Sequence, residues 1–426
     1  MNPELELLND LRAARVLVWN KGEDRLGFSF PQDTGFPQEL KDRVKEGKQR
    51  LLPLLALNRI DSEEQARHAS HYKLPDDAHD RSLHSIQKGM YLQSRIDELG
   101  YTYTIPLFVE LTGIDADAAE RAVRALLASE PVLRMRVHED LSYELLPADS
   151  YDIARTRLAA GELDALREER ARTALPLADG RLIRPEVIEL TDRPAVFVGL
   201  THHHMLSDAY SMELLADRLA ALHEAADGAD DAVREPNYFD LVAEQQIEIA
   251  RPAYTALRER LAGRLAAAEK LRLKRRPARG ADNRAETLVH ELAPETCRAL
   301  KELAGAHRLS LYALLFTGMY HTLGSFAGGQ RGFAVGITVA NRPPAFQSAI
   351  GPFINTLPLI PEFRGEDRFL DNARRVNDDV IELNQHHQLN LNMLTDVLPG
   401  GAADLADALQ VLFTMHNFTR PARSAA

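Results

Sequence analysis

The chain has 426 residues, a formal net charge of −12, 45% hydrophobic and 27% charged residues, and a single cysteine, Cys297. At about 150 residues per domain an ordinary globular balance predicts two to three packed units. The acidic balance argues against nucleic-acid binding, and the lone cysteine excludes intrachain disulfides and cysteine-cluster metal sites. No apolar run approaches the ~18 residues of a membrane helix. The acidic start MNPELELLND has no signal-peptide core, so the expectation is a soluble cytoplasmic protein with no membrane contact.

Residues 1–57 predict a small unit of their own. Leu5, Leu8, Leu11 and Leu17 suggest an apolar helix face running into a strand, RVLVWN. Lys21-Gly22-Glu23-Asp24 is a turn signal, and RLGFSF alternates as a second strand. Pro37 fits the first turn of the next helix, and Gly47 is expected to split the stretch after it into two helical pieces. The unit is neutral overall, and a two-stranded hairpin is marginal alone, so dimerisation or partner binding would support it. Residues 58–80, rich in Asp, His and Ser, predict a linker. From 81 onward strands and helices alternate. YTYTIPLFVELTG reads as a strand, DADAAERAVRALLASEP as a helix capped by Asp115, RPAVFVGLTHHH as a strand and AYSMELLADRLAALHEAA as a helix. Segment 252–275 reads as helical. ETLVHEL then reads as a strand, PETCRALKELAGAHRL and SLYALLFTGMYHTLGSFA as helices, and RGFAVGITVA as a strand. The two halves, 81–250 and 251–426, share this rhythm and predict two lobes of similar α/β architecture.

The chemistry-bearing residues concentrate at His202-His203-His204-Met205-Leu206-Ser207-Asp208-Ala209, where an apolar strand gives way to a helix. A strand end fixes the backbone while the loop frees the side chain, and imidazole accepts protons near neutral pH. The four-residue spacing of His204 and Asp208 lets the carboxylate shape the loop that presents the imidazole. No G-x-S-x-G elbow surrounds Ser207 or Ser211, which weakens a nucleophilic serine. Three consecutive histidines on a strand alternate faces, and no H-E-x-x-H occurs, so no metal site is expected.

His203-His204-Met205-Leu206-Ser207-Asp208-Ala209 resembles the HHxxxDG motif of condensation domains of nonribosomal peptide synthetases. Gln87-Lys88-Gly89-Met90 resembles that family's first motif, Leu133-Arg134 the end of its second, and Asn237-Tyr238-Phe239-Asp240 its YxDYA stretch. Ile350-Gly351-Pro352-Phe353-Ile354-Asn355-Thr356, preceded by Val339-Ala340-Asn341-Arg342, resembles IGxFVNT. Residues 1–57 resemble a TubC-type N-terminal docking domain.

The resemblance implies an α/β chain: a docking unit, then two chloramphenicol-acetyltransferase-like lobes in a V. It implies amide-bond formation between an acyl or peptidyl thioester on an upstream carrier protein and an amine on a downstream one. Both substrates would ride on 4′-phosphopantetheine, and the domain itself would hold no cofactor or metal. His204 is then the catalytic residue and His203 structural. Asp208 pairs with an arginine, for which Arg134 is the candidate. Asn355, with Gly351 and Phe353, lines the substrate tunnel. Arg15, Lys21 and Arg25 on the hairpin receive the C-terminal tail of the upstream subunit.

Four departures stand out. Ala209 replaces the motif's glycine, the RHExLR motif is Ser129-Glu130-Pro131-Val132-Leu133-Arg134 with only its LR end kept, His386-His387-Gln388-Leu389-Asn390-Leu391-Asn392 is a reduced form of the late HQDxPFE motif, and the chain stops nine residues after LQVLFTMHN. The second lobe is therefore expected to be incomplete. The alternatives are a non-catalytic scaffold that recruits carrier proteins or partner enzymes, and a free-standing HxxxD acyltransferase using a soluble thioester.

Overall fold

The computed structural model describes residues 2–175, 177, 180–224, 236–273, 287–364, 366–386 and 388–415. They form two compact units. The first takes the chain up to Arg251 together with Arg342–Phe353, and the second takes Pro252–Asn341 and the chain from Ile354 onward.

The first unit opens with α1 (Pro3–Ala13), β1 (Leu17–Gly22), β2 (Arg25–Ser29), α2 (Gln38–Leu57) and α3 (Glu63–His68). Asn2 caps α1, which buries Leu5, Leu7, Leu8 and Leu11. Glu23 and Asp24 both take positive φ, 50° and 54°, the backbone that a two-residue hairpin turn requires. Trp19 pairs with Gly27 across the hairpin, and a Cβ on Gly27 would lie 2.5 Å from Trp19 Cζ2, so the indole occupies the space glycine leaves. Gly47 does not split the following helix. The single helix α2 runs through Gly47 and Pro53, because Gly47 is buried where Leu7 of α1 packs close against it. Packing there outweighs the ~1 kcal/mol that glycine costs a helix interior.

The segment expected to be a linker, 58–80, is packed structure. Ile60, Ala66, Tyr72 and Leu74 are buried in one apolar core with α1, β1, α2 and two residues of a later helix, Ala243 and Ile247. That helix, α8 (Tyr238–Ile249), holds the segment with two carboxylates one turn apart. Asp240, fully buried, accepts from Leu74 N at 2.9 Å and pairs with His79 Nε2 at 2.8 Å. Glu244 accepts from Tyr72 N at 3.0 Å and pairs with His71 Nδ1 at 2.5 Å. An Asp- and His-rich stretch that looks like linker by composition is therefore a strap with its polar groups satisfied.

The unit continues with α4 (Ser85–Ile96), β3 (Thr104–Leu111), α5 (Ala116–Ser129), β4 (Met135–Val137), β5 (Tyr143–Leu145), β6 (Ala154–Leu158), α6 (Leu163–Ala171), β7 (Ile183–Leu190), β8 (Val196–His203) and α7 (Ala209–Glu224), and α8 closes it. Asp115 caps α5 through Ala118 N at 2.8 Å, as the sequence predicts. The main sheet runs β3-β8-β7-β6, with β6 and β7 parallel and the other pairs antiparallel. Every residue of β8 is buried, the signature of a central strand, so its final histidines enter the site from a rigid position. Asn237 and Asp240 form a reciprocal capping box at the start of α8.

The second unit contains α9 (Pro252–Ala267), α10 (Pro294–His307), α11 (Leu311–Phe326), β9 (Val335–Ala340), β10 (Ile354–Leu359), α12 (Phe369–Gln385), α13 (Asn392–Thr395), α14 (Gly401–Ala408) and β11 (Leu412–Phe413). Its sheet order is β10-β9-β11, antiparallel then parallel. Of ETLVHEL, expected as a strand over 286–292, the described residues 287–292 form none. Leu288 and Val289 are 95% and 85% exposed, with no strand paired to them among the described residues. Residues 274–275, Glu286, His387 and the His416-Asn417 end of LQVLFTMHN lie outside the described residues.

Candidate functional site: the histidine loop and its arginine anchor

The loop between β8 and α7 is held at nearly every residue. His202 Nδ1 donates to the Leu200 carbonyl at 3.0 Å, which leaves Nε2 to accept from Ser207 Oγ at 2.6 Å. His203 Nδ1 accepts from Met205 N at 3.1 Å, so Nε2 carries the proton and donates to Ser94 Oγ at 2.9 Å. Burial pushes His202 down to about 4 and His203 to about 3, so both are neutral fixtures. Gln87 Nε2 donates to the Met205 carbonyl at 2.9 Å, and His204 N donates to the Tyr103 carbonyl at 2.8 Å.

His204 differs from its neighbours. Its ring has no hydrogen-bond partner among the described residues, and Nδ1 is buried without one. That leaves Nε2 as the ring nitrogen available to a substrate. The Tyr103 ring stacks on His203 at 5.6 Å and stands edge-on to His204 at 6.4 Å, forming one wall.

Asp208 immediately precedes α7 and accepts through both oxygens. Ser211 N donates to Oδ1 at 2.8 Å, Arg342 Nη2 to Oδ1 at 3.2 Å, and Phe353 N to Oδ2 at 3.0 Å. The arginine paired with Asp208 is thus Arg342, which corrects the expectation of Arg134. Arg134 ends a short 3-10 turn, Pro131–Arg134, and donates to the Leu146 carbonyl at 2.8 Å, between its own turn and the end of β5. Arg342 also donates to the carbonyls of Phe346 and Ala349, and its guanidinium lies 3.8 Å from the Phe353 ring centroid and 4.6 Å from that of Tyr210. Arg342 and Asp208 are 6% and 7% exposed, so this pair is desolvated and hydrogen-bonded throughout. Burial pushes Arg342 below its ordinary pKa, and the Asp208 charge opposes that shift. The sequence contained the signal, since Val339-Ala340-Asn341-Arg342 stands just upstream of the segment that begins at Ile350 and carries Gly351 and Phe353.

Ala209 is the first residue of α7 and is not among the positive-φ positions, so its methyl costs no backbone strain. Gly351 cannot be replaced as cheaply, because a Cβ there would sit 2.6 Å from Tyr238 Cγ. Gly351 and Phe353 belong to the first unit with the histidine loop, whereas Asn355 lies on β10 of the second. Asn355 is 2% exposed and donates to the Leu389 carbonyl at 2.5 Å. Tyr238 and Asp240 are buried packing and capping residues.

A separate groove of about 440 Å³ lies between the hairpin and α2. Leu26, Phe28, Phe36 and Val44 give it apolar walls, and Lys21, Arg25, Lys41, Lys45 and Lys48 surround them. Arg15 is exposed with φ 57° at the end of α1 and is not among the lining residues. The sequence reading missed the three α2 lysines, although their spacing places them on one helix face. Among the described residues no cluster of three or more His, Cys, Asp or Glu is placed to hold a metal, and no helix is long and apolar enough to cross a membrane.

Comparison with known proteins bears on the same elements. The chain is 25% identical over 412 residues to bacitracin synthase 2 of Bacillus licheniformis, covering 92% of this chain and 15% of that protein. It is 26% identical over 352 residues to malpibaldin synthetase of Mortierella alpina, covering 78% of this chain and 6% of that one. It therefore spans only a small part of these relatives. Among solved structures, the X-domain from teicoplanin biosynthesis matches with TM-score 0.68 and 21% identity over 80% of this chain and 78% of that one. The EpoB cyclization-docking bidomain from Sorangium cellulosum matches with TM-score 0.66 and 18% identity over 96% of this chain and 83% of that one. The condensation-domain family model matches residues 78–424, from the strap through the histidine loop and the Arg342 segment into the second unit, and the chain belongs to that family.

Proposed function

We propose that this chain catalyses amide-bond formation between two carrier-bound substrates in nonribosomal peptide synthesis. The observation that carries the reading is the contrast within the loop: His202 and His203 are locked and neutral, while the His204 ring alone is uncommitted. The amine nitrogen on the downstream carrier attacks the thioester carbonyl carbon on the upstream carrier. A C–N bond forms and the C–S bond breaks. His204 Nε2 accepts the amine proton, or the hydrogen bond that orients the amine, and returns the proton to the departing thiolate. The products are an amide and a free phosphopantetheine thiol. Positioning and proton transfer of this kind contribute roughly 10²–10⁴-fold. His204→Ala should therefore abolish dipeptide formation between loaded carrier proteins while leaving the fold intact. A near-native rate for that variant would remove His204 from the chemistry, and an inactive wild type would favour the scaffold reading.

We propose further that the basic groove receives an upstream subunit. Cations around apolar walls suit an acidic tail with one or two apolar anchors, and the hairpin edge offers backbone groups for a third strand. Such a contact is small, so binding should be roughly micromolar and weaker at high salt. Lys41→Glu, Lys45→Glu and Lys48→Glu together should weaken calorimetric binding of the upstream subunit's C-terminal peptide at least tenfold. Unchanged binding would move the docking site elsewhere.

A further inference from the structure

We propose that Ser211 is a positioning residue for His204, an inference that rests on the catalytic reading above. Ser211 is fully buried one turn into α7. Its Oγ donates to the Gly351 carbonyl at 2.7 Å and accepts from Gly351 N at 3.2 Å and from Arg342 Nη2 at 2.8 Å. A hydroxyl has one proton and two lone pairs, and all three are used. The Ser211 backbone N–H donates to Asp208 Oδ1. One residue thus touches each part of the anchor: the carboxylate that ends the histidine loop, the guanidinium that neutralises it, and the turn at Gly351.

The geometry makes Ser211 more than a bystander to the ion pair. Arg342 Nη2 lies nearer Ser211 Oγ than Asp208 Oδ1, 2.8 against 3.2 Å. A guanidinium is planar, so the bond to Ser211 helps fix the plane in which Arg342 meets Asp208. Gly351 is held in turn by Tyr238, which fills the space a side chain would need. The Gly351 backbone is therefore a fixed post, and Ser211 ties the helix start to it by two hydrogen bonds. Without the hydroxyl, Gly351 N, Gly351 O and Arg342 Nη2 each lose a partner in a site closed to water. Asp208 then loses its register, and His204, four residues earlier and held by no side-chain bond of its own, moves with the loop.

Two variants separate hydrogen bonding from volume. Ser211→Ala removes the hydroxyl, and Ser211→Cys keeps nearly the same shape with a weak donor and acceptor. Both should lower kcat for dipeptide formation by about 10- to 100-fold, with KM for each loaded carrier within about twofold of wild type. A space-filling role predicts that Ser211→Cys behaves like wild type, and that outcome overturns the proposal, as does raised KM at unchanged kcat. The ring nitrogens of the ¹⁵N-histidine-labelled 426-residue chain supply a readout independent of turnover, with the His204 signals assigned through His204→Gln. Both Ser211 variants should shift the His204 ring signals more than those of His202. If the wild type proves inactive, the catalytic reading fails while this measurement still decides the positioning role: unmoved His204 signals in both variants refute it.

Discussion

Both Asp208 oxygens accept from donors, Ser211 N and Arg342 on one and Phe353 N on the other. Asparagine there must set an N–H₂ against a donor whichever way its amide turns. It also leaves Arg342 without its counter-charge, at a cost of roughly 3–5 kcal/mol for a buried pair. Asp208→Asn should lower unfolding stability by that amount, whereas Arg134→Ala should leave the Asp208 site intact; equal effects of the two would restore Arg134 as the partner. The buried histidines make a pH prediction. His84, His202 and His203 are pushed by burial to about 4, 4 and 3, against an ordinary value of 6.5. A depressed histidine pKa means that the unfolded chain binds more protons as pH falls below 6.5. Stability is therefore full above 6.5 and lost through the window down to about 4 for His84 and His202 and about 3 for His203, on the order of 3–5 kcal/mol for each histidine. Melting temperature should drop steeply from pH 6.5 to 4.5, and His84→Asn, which keeps a capping side chain at the start of α4, should flatten that slope. A flat wild-type profile would contradict the assignment of these histidines as neutral.

At the scale of elements, the joint that matters is α8 against the strap at 71–79. Asp240 and Glu244 each accept one strap backbone N–H and one histidine, and the apolar face beside them, Ala243 and Ile247, closes the core begun by α1. The only tryptophan, Trp19, sits on the hairpin and reports on that core from the far side of the sequence. Asp240→Asn should lower the midpoint of the Trp19 fluorescence transition, although the residue lies over 200 positions away. An unchanged midpoint would mean that the hairpin unit folds without α8. Gly351→Ala is a second test at this scale. The new methyl overlaps the Tyr238 ring, and overpacking of this kind costs about 1–3 kcal/mol. The loss should shrink in a Tyr238→Ala background, where the space is open.

At the scale of the molecule, the shared core changes what truncation means. Removing residues 1–57 strips the cover from Tyr72, Leu74, Ala243 and Ile247, and it breaks the contact of Asp10 with Arg251. A chain starting at residue 58 should therefore melt well below the full chain, and loss of transfer from an upstream subunit in that variant would reflect instability as much as docking. An equal melting temperature would show the opening residues to be energetically separate. Point changes in the lysine groove are consequently the sounder probe of reception, because Lys41, Lys45 and Lys48 line a surface rather than the core.

Local chemistry made much of this legible in the sequence. Asp115 capping α5, the turn at Glu23-Asp24 and the apolar run that becomes β8 each follow from side-chain properties that act within a few residues. The spacing of His204 and Asp208 likewise foretold a carboxylate at the helix start. What the sequence could not decide was which partners meet across long separations. Gly47 counts as a breaker by propensity, yet α1 packs against it and α2 runs on. Residues 58–80 have linker composition, yet carboxylates of α8 satisfy the backbone of the strap. Arg134 and Arg342 are equally charged, and only the return of Arg342–Phe353 to the first unit chose between them for Asp208. Local rules set each element's tendency; burial, which strands any polar group without a partner, selected the pairings.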